Sequence, residues 1–220
     1  YDFNHDNRLD LFTTNSGTDS IAILLGHGDG NFDNPAMYQT GSYSSIAVAI
    51  GDFNKDYQLD IVAVNNNIGN VDIFRVDYND SFVTQRNYLV GNRPRSLAVG
   101  DFNNDTRLDI VVDNFDGNDL SVLLGYGNGS FQSQTRSSVG DGPSSVAIGD
   151  FNNDTRLDIV VANQKGNDVS ILLGYGNGSF QSQTRYLVGN APYGVAVGDF
   201  DSDTRLDIVV TNLDDNDVSV

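Results

Sequence analysis

Apolar residues in this chain arrive in short bursts separated by polar, glycine-rich stretches. The bursts repeat one order of strand types, best read in the copy that begins at Pro143. Over residues 145–151, Val146 and Ile148 share one face while the small Ala147 and Gly149 share the other, which predicts an inner strand where neighbouring backbones come close. Residues 157–163 are apolar at nearly every position and predict a strand covered on both faces. After a polar turn at 163–167, Val169, Ile171 and Leu173 alternate with Ser170 and Leu172 to give a third strand. The run Gly174-Tyr175-Gly176-Asn177-Gly178 predicts a tight hairpin. Residues 179–188, with Gln181, Ser182, Gln183 and Thr184, predict an exposed outer strand, and 188–192 turn the chain into the next unit.

The unit recurs. Residues 119–136 and 168–185 differ at two positions. The divisions are a partial unit at 1–44, full units at 45–93, 94–142 and 143–191, and a partial unit at 192–220. A period of ~40–50 residues carrying several strands predicts propeller blades, because each small sheet must pack against the next to bury both faces. The expected fold is therefore all-β, a β-propeller of four-stranded blades, present as a partial set of about five repeats. Three strands, three full units and three more strands do not sum to whole blades, so the 220 residues are expected to be part of a longer repeat region.

Each unit carries an acidic loop between its first two strands. The fourth reads Gly149-Asp150-Phe151-Asn152-Asn153-Asp154-Thr155-Arg156-Leu157-Asp158 and places oxygen-bearing side chains at loop positions 1, 3, 5 and 9. The five sets are Asp2, Asn4, Asp6 and Asp10; Asp52, Asn54, Asp56 and Asp60; Asp101, Asn103, Asp105 and Asp109; Asp150, Asn152, Asp154 and Asp158; and Asp199, Asp201, Asp203 and Asp207. Such alternation suits a hard cation such as Ca²⁺, which takes six to eight oxygens at roughly 2.3–2.6 Å. One such loop would be ordinary turn chemistry, but five at a near-constant interval point to metal, one Ca²⁺ per loop. The seventh residues, Arg8, Gln58, Arg107, Arg156 and Arg205, would offer a backbone carbonyl, with their side chains expected to point away from the ion.

Composition agrees. All thirty acidic residues are Asp, and sixteen of them sit in the five loops. The net charge of −18 argues against a nucleic-acid partner, which needs a basic surface; five bound Ca²⁺ would bring it to about −8. Scarcity of strong helix formers supports an all-β chain. Cysteine is absent, so there is no disulfide framework. No apolar run approaches the ~18 residues that span a membrane, so no direct membrane insertion is expected. The chain opens inside a repeat at Tyr1, so the lack of a signal peptide carries no weight.

The units resemble FG-GAP repeats, the blades of the integrin α-subunit propeller and of related surface proteins. The resemblance covers the whole chain and rests on Gly129-Ser130-Phe131, on Val139-Gly140-Asp141-Gly142-Pro143 and on the acidic loop from Gly149 to Asp158. It implies a propeller, usually of seven blades, with a calcium loop between the first two strands of a blade. At the present period seven blades would need roughly 340 residues. One departure stands out: the family's sixth loop residue is usually Gly, where a left-handed backbone is favoured. Here it is Asn7, Tyr57, Thr106, Thr155 or Thr204, of which Tyr and Thr accept that conformation poorly. Either the loop takes a different path or affinity falls, most of all at Tyr57.

Other candidates are weaker. His5 and His27 stand in different loops of one unit without a repeated partner, so no catalytic residue and no enzyme activity are expected. Tyr126 and Tyr175 could stack on a sugar, but packing on a neighbouring blade is preferred. Phe53, Phe102, Phe151, Phe200, Phe82, Phe131 and Phe180 recur by unit and are expected to be core wedges. N-x-Ser/Thr sequons at Asn79, Asn104, Asn128, Asn153 and Asn177 are candidate glycosylation sites.

The expected function is that of an extracellular, calcium-binding, non-enzymatic scaffold for cell adhesion or for a protein or carbohydrate ligand. Calcium sites of extracellular modules bind with Kd of roughly 10⁻⁴–10⁻³ M and fill only outside the cell. Two alternatives stay open: a structural subunit of a glycosylated extracellular fibre or surface coat that self-assembles, and a non-catalytic propeller appended to a secreted hydrolase.

Overall fold

A computed structural model describes residues 2–4, 6–15, 17–39, 45–76 and 82–220. His5, Asn79 and the side chain of Phe82 lie outside the described residues. Regular structure among the described residues is entirely β, in five antiparallel sheets of three, four, four, four and three strands. The first sheet holds β1 (Leu11–Asn15), β2 (Ser20–Leu24) and β3 (Ala36–Gln39). The second holds β4 (Ser45–Gly51), β5 (Asp60–Asn65), β6 (Asn70–Val76) and β7 (Phe82–Leu89). The third holds β8 (Pro94–Gly100), β9 (Asp109–Asn114), β10 (Asp119–Leu123) and β11 (Thr135–Ser138). The fourth holds β12 (Pro143–Gly149), β13 (Asp158–Asn163), β14 (Asp168–Leu172) and β15 (Thr184–Leu187). The fifth holds β16 (Pro192–Gly198), β17 (Asp207–Asn212) and β18 (Asp217–Ser219). Each sheet is a meander in which strands pair in chain order.

The sheets stack face to face, with four apolar clusters, each filling the space between two consecutive sheets. The second strand of each full unit shows how. In β13, Ile159 and Val161 pack toward the third sheet, where they meet Val111, Leu120 and Val122. Val160 and Ala162, on the other face, meet Val195, Val197 and Val210 of the fifth. Ile159, Val160, Val161 and Ala162 are all fully buried, so the unbroken apolar run is that of a strand covered on both sides. Fully burying each such side chain contributes about 1.5–3 kcal/mol, which ties every sheet to its neighbours and to nothing further. The first strands of successive sheets β4, β8, β12 and β16 lie side by side. They are stitched by side chains: the Val146 N–H donates to Ser96 Oγ at 3.3 Å, and the Val195 N–H donates to Ser145 Oγ at 3.2 Å.

Two expectations need correction. The outer strand of the fourth sheet is only Thr184–Leu187, not 179–188. Phe180 turns back to bridge Gly174, and Gln181–Gln183 stay irregular, because the hairpin is spent tying one sheet to another. The phenylalanines also divide. Phe53, Phe102 and Phe131 are buried wedges and Phe151 and Phe180 are partly buried, but Phe200 is 56 % exposed since no sheet covers that face of the fifth.

Candidate metal centre

The first strands of the second to fifth sheets end in glycine (Gly51, Gly100, Gly149 and Gly198) and run directly into an acidic loop, while the first loop precedes β1. The loop is built by its own side chains. In the fourth, Asp150 Oδ1 accepts the Asp154 N–H at 3.0 Å and Asp150 Oδ2 accepts the Thr155 N–H at 2.7 Å. Asn152 Oδ1 accepts the Asp154 N–H at 3.0 Å, and Asp154 Oδ1 accepts the Arg156 N–H at 3.0 Å. The same bonds recur in the other four loops, with Asp2, Asp52, Asp101 and Asp199 at the first position and Asn4, Asn54, Asn103 and Asp201 at the third. At the fifth position Asp6, Asp56, Asp105 and Asp203 hold the N–H of Arg8, Gln58, Arg107 and Arg205.

These bonds force the sixth residue left-handed. Asn7, Tyr57, Thr106, Thr155 and Thr204 have φ of 65°, 68°, 66°, 68° and 69°. The loop thus keeps the path that glycine would take, and β-branched or aromatic residues bear strain of about 1–2 kcal/mol each. Tyr57 tolerates it by standing 85 % exposed, where its ring meets nothing.

The ninth position is different in kind. Asp158 Oδ2 accepts the Phe151 N–H at 3.0 Å, and its Oδ1 accepts the Gly174 N–H at 2.7 Å, so this carboxylate clamps the loop to the end of the third strand. Asp10 and Asp109 repeat both bonds, to Phe3 and Gly26 and to Phe102 and Gly125. Asp60 and Asp207 make the first of them, to Phe53 and Phe200. Burial pushes the Asp109 carboxyl up to about 6, outweighing its two N–H donors, with Asp105 and Asp101 adding repulsion. Asp158 is raised for the same reasons. A cation among these groups would reverse that balance.

The loops differ in how ready they are for metal. In the first four, the third-position amide turns its NH₂ toward the fifth-position carboxylate: Asn4 to Asp6 at 3.3 Å, Asn54 to Asp56 at 2.8 Å, Asn103 to Asp105 and Asn152 to Asp154 at 3.0 Å. Offering oxygen to an ion would require that amide to flip. The fifth loop has Asp201 instead, and carboxylate oxygens of Asp199, Asp201 and Asp207 lie within 4.8 Å of one another. These three hard oxygens could hold a divalent cation, and the fifth-position Asp203 is not among them.

The seventh-position arginines do not point away. Arg8, Arg107, Arg156 and Arg205 fold back on Asp6, Asp105, Asp154 and Asp203 at 3.9, 3.4, 3.0 and 3.7 Å, because crowded carboxylates attract the nearest cation. The loop also reaches the next sheet. The Gly129 N–H donates to the Phe53 carbonyl and the Gly178 N–H to the Phe102 carbonyl, both at 2.9 Å. The following phenylalanines stack edge-on, Phe131 on Phe53 at 5.6 Å and Phe180 on Phe102 at 5.7 Å. Gly178 is at φ +82°, and a Cβ there would sit 2.7 Å from Leu124, so the motif needs glycine.

Among the remaining candidates, Tyr126 and Tyr175 are each 52 % exposed rather than packed on a neighbour. His27 bonds Asp33 at 3.0 Å on an exposed hairpin. The sequon residues Asn104 and Asn153 have left-handed backbones at the fourth loop position. Asn128 and Asn177 sit at hairpin tips, where each Oδ1 accepts from its own sequon serine, Ser130 or Ser179.

The FG-GAP-like repeat family matches the sequence over residues 2–63, 52–112, 114–161 and 150–210. No curated protein sequence matches the chain. Among solved structures, the chain is similar to the Pseudomonas aeruginosa periplasmic gluconolactonase PpgL (18% identity, TM-score 0.70), covering 98% of this chain and 63% of that one. It is similar to a functionally unknown protein from Desulfotomaculum acetoxidans (15% identity, TM-score 0.67), covering 96% of this chain and 64% of that one. It is also similar to the V. cholerae biofilm matrix protein Bap1 (18% identity, TM-score 0.56), covering 90% of this chain and 29% of that one. The chain therefore spans less than two thirds of each of these proteins, and at such identities the likeness concerns the fold.

Proposed function

The chain belongs to the FG-GAP-like repeat family, and from that premise we propose that it is part of a calcium-stiffened β-propeller serving outside the cell as a non-enzymatic adhesion or ligand-binding scaffold. One observation carries the reading: five loops hold the same geometry despite strained residues at the sixth position of each. Strain kept five times over is what a loop under a common constraint retains. Asp and Asn oxygens at positions 1, 3, 5 and 9, with the carbonyl of position 7, would hold one Ca²⁺ per loop. The ion supplies charge neutralisation where carboxylates crowd. The side-by-side first strands and the sheet-on-sheet clusters support a radial arrangement. The non-enzymatic part rests on His27, which pairs with Asp33 on an exposed hairpin and has no counterpart in the other units.

Removal of divalent ions tests it. In EDTA the melting temperature should fall by about 10 °C or more, and millimolar Ca²⁺ should restore it, because an ion bound by the folded state alone stabilises it by mass action. Melting that is unchanged by chelator would remove calcium from the account.

A further inference from the structure

At the end of the sheets opposite the acidic loops, where β8, β12 and β16 begin, lies a hollow of about 470 Å³. It is within the size range of small-ligand pockets, about 300–1,000 Å³. Its wall holds Arg93, Arg95, Ser96, Ser145, Tyr193 and Asn66. A second hollow of about 490 Å³ continues past Arg93 along Asn67, Ile68 and Asn92, with the Asp116 carboxylate that Arg93 pairs with also in its wall. Together they form an extended groove with Arg93 at the junction.

The charge here runs against the rest of the molecule. In a chain with twelve Lys and Arg and a net charge of −18, three cations crowd one ring: the Arg95 guanidinium lies 3.4 Å, Lys165 Nζ 4.4 Å and the Arg93 guanidinium 4.9 Å from the centroid of Phe115. Among the described residues a single carboxylate, Asp116, pairs with two of them, Arg93 at 3.4 Å and Lys165 at 3.6 Å. Arg95 makes no ion pair among the described residues, though Asp113 and Asp116 lie near enough to act on its charge. Phe115 supports its flat face, Gln164 Oε1 accepts from its Nη1 at 2.8 Å, and the side chain lines the hollow. Its strand is fixed by the buried Asp113, whose Oδ1 accepts the Arg95 N–H at 2.8 Å and the Ser96 N–H at 2.7 Å, while Oδ2 has no partner among the described residues.

This cluster breaks the repeat. Aligned with the fourth unit, Arg95 stands against Ser144, Asp113 against Ala162, Phe115 against Gln164 and Asp116 against Lys165. Elsewhere the two units keep conservative swaps such as Leu120 against Val169 in their cores, with changes of type at the outer strand, where Ser137 and Ser138 stand against Tyr186 and Leu187. Changes of chemical type that meet in space, with the buried Phe115 as the platform on which the cations gather, mark a place that reads something specific.

We infer that this groove binds an oligosaccharide carrying carboxylates, a uronic-acid chain, with Arg95 and Arg93 on successive carboxylates, the half-exposed Tyr193 against a sugar face, and Asn66, Ser96 and Ser145 on its hydroxyls. Arg forks match carboxylates in two-point geometry. Ser96 and Ser145 accept backbone N–H groups through Oγ, which leaves their own O–H as donors. The groove's length and its wall of hydroxyl and amide groups favour a sugar chain over a compact anion. The inference rests on the ligand-binding part of the proposed function and deepens it.

The test is titration of the folded chain, in Ca²⁺, with a galacturonate trisaccharide, its methyl ester and an aspartate tripeptide, read by NMR shifts and calorimetry. Saturable binding of the trisaccharide is expected, with at least tenfold weaker binding of the ester. Arg95→Ser and Arg93→Ala place the repeat's own alternatives, Ser144 and Ala191, at these positions; Arg93 and Ala191 share a left-handed backbone at φ 54° and 51°. Each should lose affinity at least tenfold while still melting cooperatively as a folded chain. No saturable binding, equal binding of ester and acid, or undiminished affinity in both variants would overturn the inference, and tighter binding of the tripeptide would overturn the sugar assignment. Failure here with calcium-dependent melting intact would leave the metal reading standing. Melting insensitive to EDTA with binding intact would do the reverse.

Discussion

Asp113 shows how much one residue can depart from its repeat. Burial pushes its carboxyl up from the ordinary 3.8 to about 7, against the N–H bonds of Ser96 and Arg95 and the charge of Arg95. Between those values the folded chain holds a proton that the unfolded chain has released. The stability linked to that proton is complete below about pH 4 and is lost as pH rises through about 7. Asp113→Asn keeps an acceptor for both N–H groups and cannot ionise. In urea titrations it should match the parent near pH 4 and exceed it by at least ~1 kcal/mol near pH 8. A gap between the two proteins that does not change with pH would refute the assignment.

At the scale of the element, the acidic loop carries both its strain and its purpose. Thr155 sits at φ 68° because the Thr155 N–H must reach Asp150 Oδ2. Thr155→Gly relieves about 1–2 kcal/mol of left-handed strain but adds about 0.5–1 kcal/mol of unfolded-chain entropy. A net stabilisation of about 0–1.5 kcal/mol is expected, together with tighter Ca²⁺ binding to that loop by calorimetry. A loss of stability exceeding ~1 kcal/mol would mean the threonine side chain supports the loop. The strands inside each unit were legible because a strand covered on both faces writes an unbroken apolar run, as Ile159 through Ala162 do. The outer strand was not, since Thr184–Leu187 pairs through backbone and exposes its side chains, so nothing in Gln181, Ser182 or Gln183 announces where it begins. The acidic positions were legible through repetition, but their division of labour was not. Asp158 reaches a glycine N–H sixteen residues away, and Arg156 turns to Asp154 in answer to a charge that spacing alone does not locate. The Gly178 link to the Phe102 carbonyl joins two units, a relation that a pattern read within one unit cannot contain.

At the scale of the whole molecule, each sheet touches only the one before and the one after, so damage should travel one sheet at most. The loop of one sheet is held by the glycine hairpin of the next and by its own ninth-position clamp, and the clamp needs no metal. Asp158→Ala removes the acceptor for the Phe151 and Gly174 N–H groups, leaving the buried Gly174 N–H unpaired at about 1–3 kcal/mol and the half-buried Phe151 N–H unpaired at less. By hydrogen exchange, protection should fall in the fourth sheet and in the faces of the third and fifth that pack on it, and β1, β2 and β5 should stay as slow as in the parent. Asp154→Ala should behave differently: it removes an oxygen from the would-be cage but leaves the clamp whole, so its effect should be marked in Ca²⁺ and small in EDTA. Uniform loss of protection across all five sheets in Asp158→Ala would mean that the stack melts as one body. An equal effect of Asp154→Ala with and without calcium would mean that the crowded carboxylates serve the loop's own hydrogen bonds, with Arg156 as their sole counter-charge.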